Sequence, residues 1–298
     1  MSELTSIPIV DARNASSLVP QTPRNSSSVD DSTAGNPVSS RVPAIAIFMA
    51  LGAIGVAGLT LKPVAAFFVA LLMMTVSTLA VGRAVTGYWR GVLIDDRNRL
   101  SLSRLQMGLW TVVLLSGFLI GALSNIAHGK DSPLSIAVPQ ELWMLMGVSV
   151  TSLVGSPLIL NTKRGEPKPS NTVAVEAKEV SMAKLEQQLK DQKFPGGTVA
   201  AEGKVVVWNW PSDARLSDLF RGEEITNASQ VDLAKLQMFF FTAIMVFSYI
   251  VALASMFNRS PDGIQSVPPF DQGMIALLTI SHAGYLTSKG IPRDGKSS

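Results

Sequence analysis

The chain contains six long stretches in which apolar residues dominate and no side chain is charged. Each stretch has 17 to 23 residues, and a helix needs about 20 predominantly apolar residues to cross a bilayer. Surface helices of soluble proteins carry a charged face instead. We therefore predict an all-α integral membrane protein with about six transmembrane helices, in the windows 42–61, 63–82, 105–127, 142–162, 236–258 and 272–288.

The first two windows are separated only by Lys62. One continuous helix through both would be about 60 Å long, twice the thickness of about 30 Å of a hydrocarbon core. The stretch from Gly58 to Pro63 must therefore reverse the chain. Residues 43–82 are predicted to form a two-span hairpin, preceded over 1–42 by a disordered, Ser- and Pro-rich cytoplasmic tail.

Positive charges lie mainly on one side of the predicted helices. If both termini are cytoplasmic, the inner flanks carry fourteen Lys and Arg residues and the outer loops only three. Cytoplasmic flanks of membrane proteins are enriched in these residues, so both termini are predicted to lie inside. The outer three are Lys62, Lys130 and Arg259, and the inner ones are Arg41, Arg83, Arg90, Arg97, Arg99, Arg104, Lys163, Arg164, Lys168, Arg221, Lys235, Lys289, Arg293 and Lys296.

Two parts of the chain resemble each other. Residues 102–111 align with 233–242 at a constant offset of 131, sharing the pattern Leu-x-Arg/Lys-Leu-Gln-Met and a later Thr. Matches continue into the following window at an offset of 132. The pattern predicts an internal duplication, with parallel two-span repeats over 83–160 and 212–290.

Each repeat is predicted to begin with a short amphipathic helix. Val85, Tyr88 and Trp89 would share one helical face in the first repeat, and Leu216 and Leu219 would occupy matching positions in the second. An apolar face beside arginines is typical of helices that lie in the membrane interface.

The stretch between the two predicted repeats is the second long polar part of the chain, besides the N-terminal tail. Residues 161–211 are predicted to form a cytoplasmic segment, in which 204–210 (KVVVWNW) could be either a strand or an interfacial anchor. Residues 291–298 are predicted to form a cytoplasmic C-terminal tail.

Gln106 and Gln237 occupy matching positions near the inner ends of two predicted spans. An amide at that depth needs a hydrogen-bond partner, so the two side chains could bond to each other or to nearby backbone as a structural clamp. Lining a substrate path is the alternative. Arg104 and Lys235, also matched, are predicted to mark the cytoplasmic boundary by extending toward the headgroups.

His282 lies inside the last predicted span, and its counterpart in the first repeat is Val150. An ionisable residue in a membrane span is a candidate for function. No acid or base in the sequence lies at a similar depth to relay a proton. A neutral histidine bonded to Ser281, to a backbone carbonyl or to another helix is the simpler hypothesis.

The composition of the chain argues against several classes of function. The net charge is +3, too small to indicate a nucleic-acid partner. The chain has no Cys and two His residues, which argues against disulfides, iron–sulfur clusters and metal centres. Common hydrolase, metalloprotease and nucleotide-binding motifs are missing from the sequence. We therefore predict neither an enzyme nor a cofactor.

Four segments carry a further pattern, LIDDRNRLSLSRLQMGLWT at 93–111, TSLVGSP at 151–157, DLFRGE at 218–223 and SHAGYL at 281–286. In them the chain resembles a group of bacterial polytopic membrane proteins for which no activity is established. The resemblance covers 85–160 and 205–293. It implies a bacterial plasma (inner) membrane and transfers no functional residue.

The sequence thus favours a non-enzymatic membrane anchor or scaffold, embedded in lipid and bound to a protein partner or to a second copy of itself. The alternative is a channel or small-solute transporter, with a path along the pseudo-twofold axis lined by Gln106, Gln237 and His282. A sensor of lipid or tension is a third class. A polar cavity between the third and fifth spans would favour transport, and tight packing there would favour a scaffold.

Overall fold

The chain folds mostly into helices joined by short loops. A computed structural model describes residues 41–165, 172–191, 199–260 and 262–291. The predicted tails, 1–42 and 291–298, lie outside these residues except for 41, 42 and 291, and residues 41 and 42 belong to the first helix. The helices are α1 (Arg41–Thr60), α2 (Pro63–Thr86), α3 (Leu102–Ala127), α4 (Gln140–Gly165), α5 (Thr172–Asp191), α6 (Leu233–Arg259) and α7 (Gln272–Gly290).

Four of the described helices, α2, α3, α4 and α6, are long and apolar enough to cross a membrane. They coincide with four of the six predicted windows. The apolar part of α1, Ala44–Thr60, is shorter. Helix α7 has 19 residues and includes the polar side chains of Ser281 and His282, which lower its hydropathy. The structure therefore supports a membrane-embedded helical protein with four candidate spans.

Helices α1 and α2 form the predicted hairpin. Leu61 and Lys62 connect them, and Pro63 begins α2 at a position where a missing backbone N–H costs no helical hydrogen bond. The helices pack through Ile54 of α1 and Phe67 of α2, which are both buried in the main core. Each helix extends beyond the predicted limits of 43–82.

Helices α3 and α6 begin in the same way. The Ser101 side chain accepts a hydrogen bond from the N–H of Arg104, and the Asp232 side chain accepts bonds from the N–H groups of Ala234 and Lys235. Such caps satisfy backbone donors that a helix N-terminus leaves free. The two capping residues are 131 positions apart, and the first residues of α4 and α7 are 132 apart. The helix starts thus keep the offsets seen in the sequence.

The two predicted in-plane helices are wrong. In the first repeat α2 continues to Thr86 and ends at Gly87, which adopts a left-handed φ of 80°. A single 3-10 turn, Gly91–Leu93, follows. A Cβ on Gly91 would lie 2.5 Å from the Gly82 carbonyl oxygen, so the chain folds back tightly against α2. In the second repeat only a 3-10 turn forms, Leu216–Leu219.

The turn in the second repeat forms around a buried carboxylate rather than on an apolar face. Asp218 accepts a hydrogen bond from the N–H of Arg215 at 2.8 Å and bonds from the indole N–H of Trp208 at 3.2 Å. Leu216 is left exposed. Polar contacts to the neighbouring strand therefore override the helical pattern of this segment.

A small antiparallel hairpin forms between the repeats, from β1 (Val199–Glu202) and β2 (Val205–Trp208). All four residues of β2 are buried, so the strand interpretation of 204–210 is correct. Leu185 of α5 packs against Val206 and Trp208. We call residues 87–101 and 199–232 the cap. It lies at the end of the bundle where α3 and α6 begin and α4 and α7 end.

Candidate functional site

The predicted site residue His282 lies in a buried polar cluster that joins four helices. Its Nδ1 is 2.5 Å from the hydroxyl of Ser152 on α4, and its Nε2 is 3.5 Å from the amide nitrogen of Gln106 on α3. That amide also donates to the hydroxyl of Thr242 on α6. The four side chains are buried, with Gln106 1% and His282 3% exposed. His282 therefore bonds to neighbouring helices, which agrees with the simpler hypothesis for it.

Gln237 does not join this cluster. It is exposed on α6, so the expected pairing of Gln106 with Gln237 is wrong. The buried residues of α3 include Gln106 and Trp110, whereas those of α6 include Met238 and Thr242. At the offset of 131, Gln106 and Trp110 each match the residue just before a buried residue of α6. The buried face of α6 is therefore rotated by one residue relative to that of α3, which is about 100° around the helix axis.

The same rotation gives the matched residues Arg104 and Lys235 different environments. Arg104 is exposed, whereas Lys235 is 2% exposed and points into the cap. The prediction that both extend toward the headgroups is wrong for Lys235. Its ammonium lies 3.0 Å from a carboxylate oxygen of Glu223.

Glu223 is the centre of a second, strongly charged cluster beneath the cap. Its carboxylate lies 2.7 Å from Lys289 of α7, 3.0 Å from Lys235 of α6 and 3.1 Å from Arg97 of the cap. None of these four side chains is more than 8% exposed. We call Glu223, Arg97, Lys235 and Lys289 the Glu223 cluster. It fastens two helix ends to the cap.

The neighbouring Glu224 extends the same arrangement to α4. Its carboxylate accepts a hydrogen bond of 2.8 Å from the ammonium of Lys163, which is also buried. Lys163 also donates to the carbonyl of Ile291 at 3.0 Å and to that of Lys289, just at the end of α7. Two consecutive acids of the cap therefore hold the ends of α4 and α7 and the start of α6.

A tight loop places Arg97 within the Glu223 cluster. The Asp95 carboxylate accepts hydrogen bonds from the backbone N–H groups of Arg97 and Arg99 at 3.0 Å each, and it pairs with the Arg97 guanidinium at 2.6 Å. Asn98 takes a left-handed φ of 57° at the loop tip, and its amide donates to the Trp208 carbonyl at 2.8 Å. The loop is thus joined to strand β2.

The charges of the cap hold one another in the ionised state. Burial alone would raise the pKa of Glu223, but Lys235, Lys289 and Arg97 together hold it well below its usual range. Burial would likewise raise the pKa of Asp95, and the charge of Arg97 with the N–H of Arg99 lowers it overall. Both carboxylates therefore remain charged at neutral pH and suit a structural connection better than proton transfer.

Sequence reasoning missed the Glu223 cluster because its members lie in four separate parts of the chain. Arg97 and Glu223 are 126 positions apart, and no local pattern links them. Two signals were present, the dense charges of 95–99 and the adjacent acids Glu223 and Glu224. We used the positive charges only to assign sidedness.

Comparison with protein-family models, with curated proteins and with solved structures finds no match to this chain. The resemblance to a bacterial group of membrane proteins therefore stays a prediction. Any function has to be inferred from the two clusters and from the surfaces around them.

Proposed function

We propose that the protein is a non-enzymatic membrane scaffold whose cap forms a rigid platform for a protein partner. The observation that carries this proposal is the Glu223 cluster, because buried charges at 2.7–3.1 Å join the cap to α6 and α7. Because the cap is fixed to several helix ends, a protein that binds the cap is held at a defined position on the membrane. The buried charged groups beneath the cap are paired with one another, an arrangement typical of a structural connection.

The packing of the bundle supports a scaffold over a conduit. Between α3 and α6 the described side chains meet directly, with Trp110 edge-on to Tyr249 at 6.2 Å between ring centroids. A Cβ on Gly117 would lie 3.0 Å from Leu253 across the same interface. The alternative of a channel or transporter also required Gln237 to line a path with Gln106, and Gln237 is exposed on the outer face of α6.

We further propose that α1 and α7 cross the bilayer as well, giving six spans. Helix α7 has 19 residues and would be about 28 Å long, close to the hydrocarbon thickness. Its polar residues Ser281 and His282 face inward while Leu277 and Ile280 are exposed, and Phe48 and Met49 are exposed on α1. These large apolar side chains favour contact with lipid over water.

The repeats and the orientation belong to the same proposal. The capped starts of α3 and α6 at matching positions support two parallel two-span repeats. The excess of Lys and Arg at the cap end supports a cytoplasmic cap and cytoplasmic termini. The bacterial plasma membrane is proposed from the sequence resemblance alone.

The exposed side of α5 and the nearby cap surface are where we expect the partner to bind. Leu185 is buried against the cap, whereas Val180 of the same helix is 67% exposed. Trp210 and Leu216 are also exposed on the cap. Aromatic and aliphatic residues on a charged surface are typical anchors of protein interfaces. The partner can be another protein or a second copy of this chain.

Site-specific photocrosslinking in living cells tests the scaffold proposal. A photoreactive residue at Glu186 on α5 or at Leu216 should give discrete protein adducts, either with a partner or with a second copy. The same residue at Phe48 on α1, which we expect to face lipid, is the matched control. Absence of protein adducts at both Glu186 and Leu216 would contradict the proposal, and so would ion or solute flux in proteoliposomes that is lost in His282→Leu.

A further inference from the structure

A groove of about 380 Å³ lies between α3 and α4 at the cap end of the bundle. Its volume is within the range of about 300–1,000 Å³ of small-molecule sites. One end is polar and the other is apolar. The polar end is formed by Asp95, Asp96, Ser101 and Arg104, and the remaining lining, apolar except for Ser156, is formed by Val92, Met107, Gly108, Leu153, Ser156, Pro157 and Leu160.

The polar end carries one positive charge without a partner of its own. Asp95 pairs with Arg97 and Asp96 pairs with Arg164, each at 2.6 Å, so each carboxylate already has a cation beside it, although Arg164 also pairs with Glu202. The exposed guanidinium of Arg104 makes no ion pair with any residue that the structure describes. The polar end therefore attracts an anion such as a phosphate, which Arg can bind with two hydrogen bonds.

The apolar part of the groove provides open space beside α3 and α4. A Cβ built on Gly108 meets nothing within 4 Å, so α3 leaves room along this face. Pro157 lies inside α4 and has no N–H, which deprives the carbonyl of Leu153 of its usual helical donor. Both residues line the groove. The groove thus suits a chain-like apolar group that continues from a polar head.

The position of the groove identifies the class of ligand. Arg104 lies near the start of α3, at the boundary between the cap and the apolar helices, where lipid phosphates lie in a bilayer. We propose that the groove binds one glycerophospholipid, with its phosphate on Arg104 and an acyl chain along Gly108 and Leu153. This inference depends on the membrane embedding but not on the scaffold role.

The headgroup is expected to carry an amine. The Asp96 carboxylate is half exposed, with 49% of its side chain accessible, so it can accept a further hydrogen bond besides that from Arg164. A headgroup ammonium would meet this acceptor, whereas an anionic headgroup would add a second negative charge beside it. The groove should therefore prefer phosphatidylethanolamine over phosphatidylglycerol.

Native mass spectrometry of the full chain, released from nanodiscs with equal amounts of these two lipids, tests the proposal. The natural protein should retain one phospholipid, enriched in phosphatidylethanolamine. Arg104→Gln removes the cation, and Gly108→Leu fills the open space from the other end. Each should reduce the retained lipid about tenfold, the effect of losing one charge-assisted contact or most of the apolar groove.

Gly147→Leu is the matched control, because Gly147 on α4 also has open space around it and lies outside the groove. It should retain lipid like the natural protein. Asp96→Asn should retain lipid but lose the preference for the amine, while Arg164 stays paired with Glu202. Equal lipid retention in Arg104→Gln, Gly108→Leu and Gly147→Leu would indicate ordinary surrounding lipid and overturn the proposal. An unchanged preference in Asp96→Asn would overturn the headgroup assignment.

Discussion

At the scale of single residues, Glu223 has the most contacts with buried charges. A buried carboxylate loses its hydration, and here three cations within 3.1 Å replace that hydration. The carboxylate and the three cations stabilise one another in the charged state. Loss of one of these groups therefore removes a stabilising partner from the groups that remain. Buried ion pairs contribute little net stability when complete, but breaking one leaves an uncompensated charge.

Glu223→Gln should therefore lower the free energy of unfolding by about 3–5 kcal/mol, since Lys235 and Lys289 would stay buried without their counter-ion. Glu202→Gln is the matched control. Its side chain is 53% exposed and pairs with Arg164, so its loss should cost less than about 1 kcal/mol. Denaturant unfolding in detergent measures both. Equal effects of the two substitutions would contradict the role of the cluster.

The pKa values of Glu223 and Asp95 predict how stability depends on pH. Both pKa values are lowered on folding, so the stability they contribute is present in full above their unfolded values of about 4. This stability is lost as the pH falls further, through the folded pKa values. Unfolding measured between pH 7 and pH 3 should show a steeper loss of stability below about pH 4.5 in the natural protein than in Glu223→Gln.

At the scale of elements, α3 and α6 share a sequence pattern and a capped start but bury different faces. The one-residue displacement explains three outcomes together, the burial of Gln106 and Lys235, the exposure of Gln237 and the free guanidinium of Arg104. Matched positions in a duplicated sequence thus have different environments. Their roles cannot be transferred from one copy to the other.

The sequence predicted the positions of the helices far better than it predicted which face of each helix is buried. Long uncharged windows locate the helices because the length of an apolar run is a local property, and window 105–127 differs from α3 by three residues. Which face of α6 is buried depends on its neighbours α3 and α7, and these are set by tertiary packing. The predicted in-plane helix of the second repeat failed for the same reason, since contacts of Asp218 with β2 determine the local structure.

Cysteine labelling checks the rotation directly, because the chain has no natural Cys. Arg104→Cys should react rapidly with a water-soluble maleimide, and Lys235→Cys should be protected because that position is 2% exposed. The two positions match in the alignment, so each serves as the control for the other. Similar reaction rates would show that the faces of α3 and α6 are equivalent after all.

At the scale of the whole molecule, the structure divides into an apolar bundle and a charged cap at one of its ends. The large exposed apolar side chains lie mostly on the helices, and the buried ion pairs lie beneath the cap. This separation is what a bilayer requires, because charges are costly in its hydrocarbon core. It also places the proposed lipid groove at the boundary of the two regions.

The proposed topology predicts which sites are accessible from outside the cell. Ser132→Cys, in the exposed loop between α3 and α4, should react with a membrane-impermeant maleimide in intact cells. Lys184→Cys on α5 should react only after the cells are permeabilised. The reverse pattern would invert the orientation, and reaction of both sites in intact cells would exclude a transmembrane arrangement.

The place of Lys289 in the chain has a consequence for biosynthesis. It lies at the end of α7, the last helix, whereas Glu223, Arg97 and Lys235 are all synthesised earlier. In a nascent chain that has not yet completed α7, Glu223 can pair with Lys235 and Arg97 but not with Lys289, so the last helix is not yet fastened to the cap. We therefore expect chains that stop short of this lysine to expose the charged face of the cap that α7 covers in the complete protein, and to be degraded faster than the complete protein.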